Sequence, residues 1–190
     1  MSPLRQDASL APDAAFPDEE QRIARLSQQE FREFYEHTFA PLRAYLSRMS
    51  GDATLADDLA QEAYVRTLQA DLAAVDGAGR KRYLFRIATN LLHDHRRRVR
   101  VRNLLWPARS SPPDAGRQAE LRTDVARVFK QLKARERQLL WLAYVEGFSH
   151  AEIAEVTGLT ADSVRPLLFR ARQAFARLLR KHGLAAPESS

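Results

Sequence analysis

The sequence predicts an all-α fold made of two small helical domains joined by a flexible linker. Apolar residues recur at three- and four-residue steps along most of the chain, and no stretch shows a convincing two-residue alternation. A segment rich in proline and serine, at 103–118, interrupts these helical periods. The chain has 190 residues, and at roughly 100 to 200 residues per domain this length excludes a large multidomain enzyme.

The first helix is expected to begin at Ser27, after a mobile N-terminal tail at 1–25 that lacks a sustained apolar period. Ser27 and Glu30 have the spacing of a capping box. An apolar stripe then continues to Met49, and we expect Pro41 to kink or restart the helix that carries it.

A second helix should follow, capped by Asp52 or Thr54 and ending near Leu72. Its inward face carries alanine and leucine, so its polar residues form an outward stripe rich in carboxylates. That stripe consists of Asp57, Asp58, Gln61 and Glu62.

The glycines at 75–79 predict a loop, and from Arg80 a third helix is expected to continue to about Arg102. One face of this helix is apolar, and its remaining faces are strongly basic. Tyr83 fits the apolar face, where it would be a core aromatic.

The C-terminal half predicts two amphipathic helices, from Leu121 to Leu132 and from Glu136 to Val145, followed by a helix-turn-helix. Ser149 and Glu152 form a second capping box, Gly158 supplies a left-handed turn, and Thr160 or Ser163 can cap the final helix. An αα-hairpin shares this periodicity. The turn glycine and the arginines carried by one helix favour a DNA-binding helix-turn-helix.

Charge is segregated along the chain. There are 30 Lys and Arg against 24 Asp and Glu, and only four of the cations are lysines. The net charge is −7 over 1–79, +9 over 80–110, −1 over 111–162 and +5 over 163–190. Two arginine-rich blocks suit a ligand with phosphates at two places, and the acidic first third suits a basic protein surface. The alternative is that each block is only a solvated helix face.

Enzyme and metal functions find no support in the motifs. The sequence has no cysteine, Gly-rich phosphate loop, nucleophile elbow or H-E-x-x-H pattern. His93 and His95 are two residues apart and on a helix would point about 200° away from each other, so they do not easily share an ion. No apolar run approaches the ~20 residues of a membrane span, and the N-terminus does not look like a signal peptide. We expect a cytoplasmic protein that is not an enzyme and needs no cofactor or metal.

Two sets of motifs occur in order across the linker. The N-terminal half contains A-D-D-L-A-Q-E-A-Y-V-R at 56–66 and Y-L-F-R-I-A-T-N-L at 83–91. The C-terminal half contains L-W-L-A-Y-V-E-G-F-S at 140–149, E-I-A-E at 152–155 and S-V-R at 163–165. Together they resemble the bacterial sigma factors of the sigma-70 family, specifically the small extracytoplasmic-function (ECF) group built from regions 2 and 4.

The resemblance implies which surfaces bind which partners. Region 2 would bind core RNA polymerase and the minus-10 promoter element, and region 4 would bind the minus-35 element and the polymerase flap. The residues implied for core polymerase are Asp57, Asp58, Gln61 and Glu62. Those implied for minus-10 DNA are Arg80, Lys81, Tyr83, Arg86, Asn90, Arg96, Arg97 and Arg98. Those implied for minus-35 DNA are Ser163, Arg165, Phe169, Arg170 and Arg172.

This sequence departs from the family pattern at several positions. Tyr83 stands where relatives commonly have tryptophan, and Leu68 where many have an aromatic residue, so stacking on opened bases is expected to be weaker. Pro166 stands where a small polar residue is usual. We therefore expect the recognition helix to start late, or to be kinked at Asp162 to Pro166.

The predicted organisation is a tail at 1–25, region 2 at 26–102, a linker at 103–118, region 4 at 119–182 and a tail at 183–190. The rival hypothesis is a free-standing helix-turn-helix regulator that acts at an operator. An N-terminal half with an acidic stripe beside a basic helix favours the sigma factor, because a repressor needs a dimer interface or a ligand pocket.

The start of the linker carries three apolar residues. Leu104, Leu105 and Trp106 are apolar without an evident core, and they would either dock on polymerase or cover the third helix. An anti-sigma factor is a possible further partner that the sequence does not identify.

Overall fold

The computed structural model describes residues 27–70, 72, 74–105 and 124–184. In these residues the chain forms seven α-helices and no strand, which confirms the predicted all-α class. The N-terminal unit contains α1 (Gln28–Ser50), α2 (Ala53–Gln69) and α3 (Gly77–Leu105). The C-terminal unit contains α4 (Asp124–Lys130), α5 (Ala134–Tyr144), α6 (His150–Thr157) and α7 (Ala161–Lys181). The expected tail at 1–25 and most of the expected linker, including Trp106, lie outside the described residues.

Local capping signals set the starts of α1 and α2 as expected. The Ser27 hydroxyl accepts the Glu30 N–H at 3.2 Å, and the Glu30 carboxylate accepts the Ser27 N–H at 2.9 Å, so the predicted capping box is present. Asp52, rather than Thr54, caps α2 by accepting the Leu55 N–H at 3.1 Å.

Pro41 does not interrupt α1, so the expected restart at this residue is wrong. A proline inside a helix removes one backbone hydrogen bond. Here the residues that follow it, Leu42, Tyr45 and Leu46, are completely buried against the rest of the unit. Their burial stabilises the continuous helix by more than the missing hydrogen bond costs.

The third helix begins at Gly77 rather than Arg80, and it continues past Arg102 to Leu105, the last residue described in this part of the chain. Asp76 explains the early start, because its carboxylate accepts the Gly79 N–H at 2.6 Å and its carbonyl accepts the Arg80 N–H at 2.8 Å. The two glycines therefore lie in the first turn of a capped helix, and the predicted loop is confined to the residues before them.

The C-terminal unit has the predicted helix-turn-helix, formed by α6 and α7. The Ser149 hydroxyl accepts the Glu152 N–H at 3.3 Å and the Glu152 carboxylate accepts the Ser149 N–H at 2.8 Å, so the second capping box is also present. Gly158 ends α6 in the left-handed conformation, with φ of 69°. Helix α5 starts at Ala134, two residues before the predicted position.

The two units pack against each other, an arrangement that the sequence did not predict. Helix α3 lies against α6, and α1 lies against α5. The buried apolar residues of both units therefore form one continuous core. None of the described helices is long and apolar enough to cross a membrane.

We predict that Gly79→Ala gives a less stable protein than Gly77→Ala, although both changes introduce the better helix former. A Cβ at this position would lie 2.6 Å from Val75 Cγ1 and 2.9 Å from the capping Asp76 carboxylate oxygen. Displacing that cap should cost about 1 kcal/mol. Gly77→Ala is the matched control, because a Cβ there meets no atom within 4 Å. Urea unfolding of both variants tests the prediction, and an equal midpoint for the two would contradict it.

Candidate polymerase and promoter surfaces

The polar stripe of α2 is exposed, and part of it is neutralised within the N-terminal unit. Asp57 forms a bidentate ion pair with Arg43, whose Nη2 lies 3.1 Å from Asp57 Oδ2. The Arg43 hydrogen bonds lower the pKa of the Asp57 carboxyl group. Glu62 pairs with Arg66 at 2.8 Å. Asp58 is exposed and has no ion pair with another described residue, so it is the most available carboxylate of the stripe.

Four of the predicted minus-10 residues lie in one row along α3. Tyr83, Arg86, Asn90 and Arg97 follow at steps of three, four and seven residues, which places them on one helix face. The Arg86 guanidinium carbon is 5.7 Å from the centre of the Tyr83 ring. Arg86, Asn90 and Arg97 are exposed, and Tyr83 is half-buried. The row offers an aromatic ring, an amide and two guanidinium groups, which can stack on a base, read a base edge and bind phosphates.

The other predicted minus-10 residues are not in this row. The Arg96 guanidinium donates to the Met49 carbonyl at the end of α1, and burial lowers its pKa. The Arg80 guanidinium donates to the Leu72 carbonyl at 3.1 Å. Arg98 is exposed, while Lys81 contacts the C-terminal unit. The basic helix therefore carries an outward row, the separately exposed Arg98, and cations that contact other parts of the fold.

The outer face of α7 carries the predicted minus-35 residues in two rows. Arg165, Phe169 and Arg172 are spaced by four and three residues, and Phe169 is 52% exposed. Arg172 lies 5.9 Å from the Phe169 ring centre. Ser163 and Arg170, seven residues apart, form the second row.

Pro166 lies inside α7 without interrupting it. The helix continues from Ala161 to Lys181 with no break at Asp162 to Pro166, so the expectation of a late start is wrong. Thr160 is the N-cap residue, and its carbonyl accepts the Ser163 N–H at 3.0 Å. The completely buried Val164 anchors this first turn, and the fixed φ of proline is compatible with a helix.

Acidic residues of the C-terminal unit pair with cations of α3. Glu146 lies 3.0 Å from the Lys81 ammonium, and the Glu146 side chain is only 3% exposed. The Arg82 guanidinium contacts Glu152 and Glu155, each at 2.8 Å. The C-terminal unit therefore covers cations at the start of the basic helix.

A buried polar contact also joins the two units. The Tyr45 hydroxyl is 2.8 Å from the Thr89 hydroxyl, and it accepts a hydrogen bond from the Gln138 amide at 2.8 Å. Burial raises the pKa of Tyr45 to about 12, so its hydroxyl stays protonated at neutral pH. The contact links α1 to α5 in one defined register.

The C-terminal unit also has an open apolar groove of about 440 Å³. Val125 and Phe129 of α4, Trp141 and Tyr144 of α5, and Phe175 of α7 contribute to its lining. Tyr144 is 59% exposed. In the described ranges no group of three or more acidic or histidine side chains is arranged to hold a metal ion.

The family models match both units in the predicted order. Residues 34–102 match the model for "Sigma-70 region 2", and residues 122–175 match the model for "Sigma-70, region 4". This chain belongs to the sigma-70 family. It is a sigma factor that directs promoter-specific transcription by RNA polymerase.

Curated relatives named ECF RNA polymerase sigma factors align with most of this chain. The ECF RNA polymerase sigma factor SigL of Mycobacterium tuberculosis is 32% identical over 160 residues, which cover 80% of this chain and 90% of SigL. EcfG of Rhodopseudomonas palustris is 31% identical over 142 residues, covering 73% of this chain and 78% of EcfG.

Two solved structures share the fold of this sigma factor. RpoE from Bartonella quintana, solved with the anti-sigma factor NepR, has a TM-score of 0.65 and 22% identity over 80% of this chain and 98% of RpoE. CnrH, solved with the cytosolic domain of CnrY, has a TM-score of 0.60 and 24% identity over 85% of this chain and 94% of CnrH.

The local sequence does not reveal that acidic residues of the C-terminal unit pair with α3. Glu146 belongs to one family motif, and Glu152 belongs to another family motif and to a capping box. Their partners are 65 and 70 residues away in the sequence, so no local spacing could have revealed the pairs. The one available signal was the near-neutral charge of 111–162 between two basic blocks.

We predict that Pro166→Ala stabilises this sigma factor by about 1–3 kcal/mol, because alanine restores a hydrogen bond to the Asp162 carbonyl and favours the helix. Position 166 is exposed, so the change removes no core contact. Gln173→Ala, at another exposed position of α7, is the control and should shift stability by a few tenths of a kcal/mol. Thermal unfolding, monitored by circular dichroism, tests the prediction. A stability gain at residue 166 no larger than at residue 173 would contradict it.

Proposed function

We propose that the sigma factor binds core polymerase through α2, holds the opened minus-10 strand on α3 and reads the minus-35 element with α7. The observation that carries the proposal is the outward row of Tyr83, Arg86, Asn90 and Arg97 on the same unit as the exposed α2 stripe. This unit can bind a protein with one surface and a nucleic-acid strand with another.

The polymerase surface is proposed to depend mainly on Asp58 and Gln61. Asp57 and Glu62 already have intramolecular cations, so binding through them first requires Arg43 or Arg66 to exchange partners. Asp58 has no ion pair to break among the described residues, so its full negative charge is available to a basic protein surface. All four stripe residues remain part of the proposed site.

For minus-10 DNA, we propose that Tyr83 supports an unstacked base, Asn90 reads a base edge, and Arg86, Arg97 and Arg98 bind phosphates. Lys81, which pairs with Glu146, would have to exchange that partner to join them. Arg80 and Arg96, which hold backbone carbonyls, contribute positive potential rather than direct contacts.

For minus-35 DNA, Arg165 and Phe169 are placed to reach a guanine and a thymine methyl group, while Arg170 and Arg172 bind phosphates. Ser163 lies at the start of the helix, where its hydroxyl contacts that of Thr160 at 2.6 Å. The apolar groove beside α5 would hold the polymerase flap, because exposed Tyr144 and Val145 offer an apolar surface that a protein helix can cover.

The sigma factor would catalyse no reaction itself, would need no cofactor and would act in the cytoplasm with the polymerase. An anti-sigma factor would be an additional partner, as NepR is in the RpoE structure. We keep the predicted regions at 26–102 and 119–182 as the units of function.

We predict that Asp58→Lys abolishes association with core polymerase while leaving thermal stability nearly unchanged, since exposed charges contribute about 0–1 kcal/mol to folding. Glu36→Lys is the matched control, because it makes the same charge change at an exposed position of α1. A pull-down with core polymerase and a melting curve on each variant test the prediction. An equal loss of polymerase binding in both variants would refute the proposed surface.

We predict that Arg165→Ala relaxes minus-35 selectivity by about 1–3 kcal/mol, because a bidentate arginine–guanine contact contributes discrimination of that size. Arg177→Ala, at an exposed position farther along α7, should leave selectivity unchanged. The measurement is selection of promoters from a randomised DNA library by reconstituted holoenzyme, followed by sequencing. An unchanged minus-35 preference in the Arg165 variant would remove this residue from the reading surface.

A further inference from the structure

We propose that a cavity between α3, α5 and the end of α6 binds a small anion that carries at least two phosphate groups. The cavity has a volume of about 450 Å³. We call it the arginine cavity, after four arginines that line it: Arg96, Arg97, Arg100 and Arg135.

The arginines reach the cavity from two helices. Arg100 lies one turn after both Arg96 and Arg97, so the three share one broad face of α3. Arg135 comes from the first turn of α5, where the positive end of the helix dipole also favours an anion. A ligand in the cavity can therefore accept guanidinium N–H groups from more than one side. That arrangement suits an anion with several phosphate oxygens.

The protein itself supplies little negative charge to the arginine cavity. Within the described ranges, the lining contains no carboxylate, and Arg96, Arg100 and Arg135 form no ion pair. Arg97 pairs with Asp94 at 3.1 Å, but both side chains are exposed and such a pair exchanges readily. An anion would therefore meet positive charge that is largely uncompensated.

A further cation lies behind the cavity wall. Burial lowers the pKa of Arg96, and the charge of the neighbouring Arg137 lowers it further. Arg137 donates through Nη1 to the Lys130 carbonyl at 2.7 Å, and its buried Nε has no hydrogen-bond partner among the described residues. Two like charges partly removed from water strengthen the positive potential at this place, so a bound anion would relieve their repulsion.

The size and the walls of the cavity favour a small ligand over a nucleic-acid strand. Small-molecule sites commonly have about 300–1,000 Å³. Leu139 and Leu159 add apolar surface to the lining. A strand instead needs a groove that follows its backbone, such as the outward row of α3. The shared chemistry of the ligand is a diphosphate group, which both inorganic pyrophosphate and nucleotides carry.

The first experiment titrates the free full-length protein with sodium pyrophosphate in a calorimeter at constant ionic strength. We expect one saturable site per chain. Arg100→Gln and Arg135→Gln should each weaken binding about ten-fold, the loss expected when one charged hydrogen bond is removed. Arg102→Gln and Arg177→Gln are the matched controls, one in each unit, because they make the same charge change at exposed positions outside the lining.

Two outcomes of this titration would overturn the proposal directly. One is the absence of saturable binding, and the other is equal weakening in all four variants, which would reflect net charge alone. Weakening by Arg100→Gln without weakening by Arg135→Gln would place the anion on α3 alone, and the shared cavity would be refuted.

ADP and a short oligodeoxythymidine identify the source of the phosphates. Tighter binding of ADP than of pyrophosphate would indicate a nucleotide whose base packs on Leu139 and Leu159, and otherwise the inorganic anion is the ligand. If Arg135→Gln weakens the oligonucleotide more than it weakens pyrophosphate, the cavity belongs to a strand and the proposal fails.

The second experiment uses the unsubstituted cavity and follows His93, which also lines it. Burial lowers the pKa of His93, and the charges of Arg96 and Arg135 lower it further. A hydrogen bond with Gln138 and the charge of Asp94 act in the opposite direction. A bound diphosphate would offset the two guanidinium groups, so the pKa of His93 should rise when pyrophosphate is added.

Proton NMR titration of the imidazole signals measures this change. His93→Gln removes one signal and so assigns it among the five histidines of the chain. A pKa of His93 that rises with pyrophosphate, but not with sodium chloride at the same ionic strength, supports the cavity as the site. A pKa that stays the same at saturating pyrophosphate would show that the anion binds elsewhere and would overturn the proposal.

Discussion

The fold and the candidate surfaces both depend on α3, a helix of 29 residues. Its apolar face, including Leu84, Ala88 and Leu92, completes the core of the N-terminal unit. Its other faces carry a concentration of arginine with few acids to neutralise it. Because one rigid helix carries both faces, the packing that fixes the core also fixes the orientation of the cations.

That charge must be compensated in every state of the protein. In the arrangement described here, carboxylates and backbone carbonyls do so: Arg82 contacts two glutamates, Lys81 contacts Glu146, and Arg96 contacts the end of α1. On promoter DNA, phosphates would take over part of this role. Exposed pairs such as Arg97 with Asp94 exchange readily, whereas the shielded Lys81–Glu146 pair must be broken.

The sequence predicted those parts of the fold that depend on neighbouring residues. The caps at Ser27, Asp52 and Ser149 were predictable because each signal spans only about three residues. The end of α6 at Gly158 was predictable for the same reason. The start of α3 was missed because glycine has low helix propensity, whereas the Asp76 cap outweighs that preference here. Local propensity also failed to predict the outcome at Pro41 and Pro166. In both places the helix continues, because residues next to the proline are buried in the core.

The residues of the candidate site also differ in whether local sequence could predict them. Its outward residues, such as Arg86, Asn90 and Arg165, were recognisable from periodicity and resemblance, because they need only one helix to place them. The contacts of Glu146 and Glu152 need two units that are distant in the sequence, and nothing near either residue specifies its partner. Family motifs record which residues occur, but the structure adds that one residue, Glu152, both caps α6 and contacts Arg82. A charge that caps one helix and neutralises another therefore couples the stability of the recognition motif to the position of the basic helix.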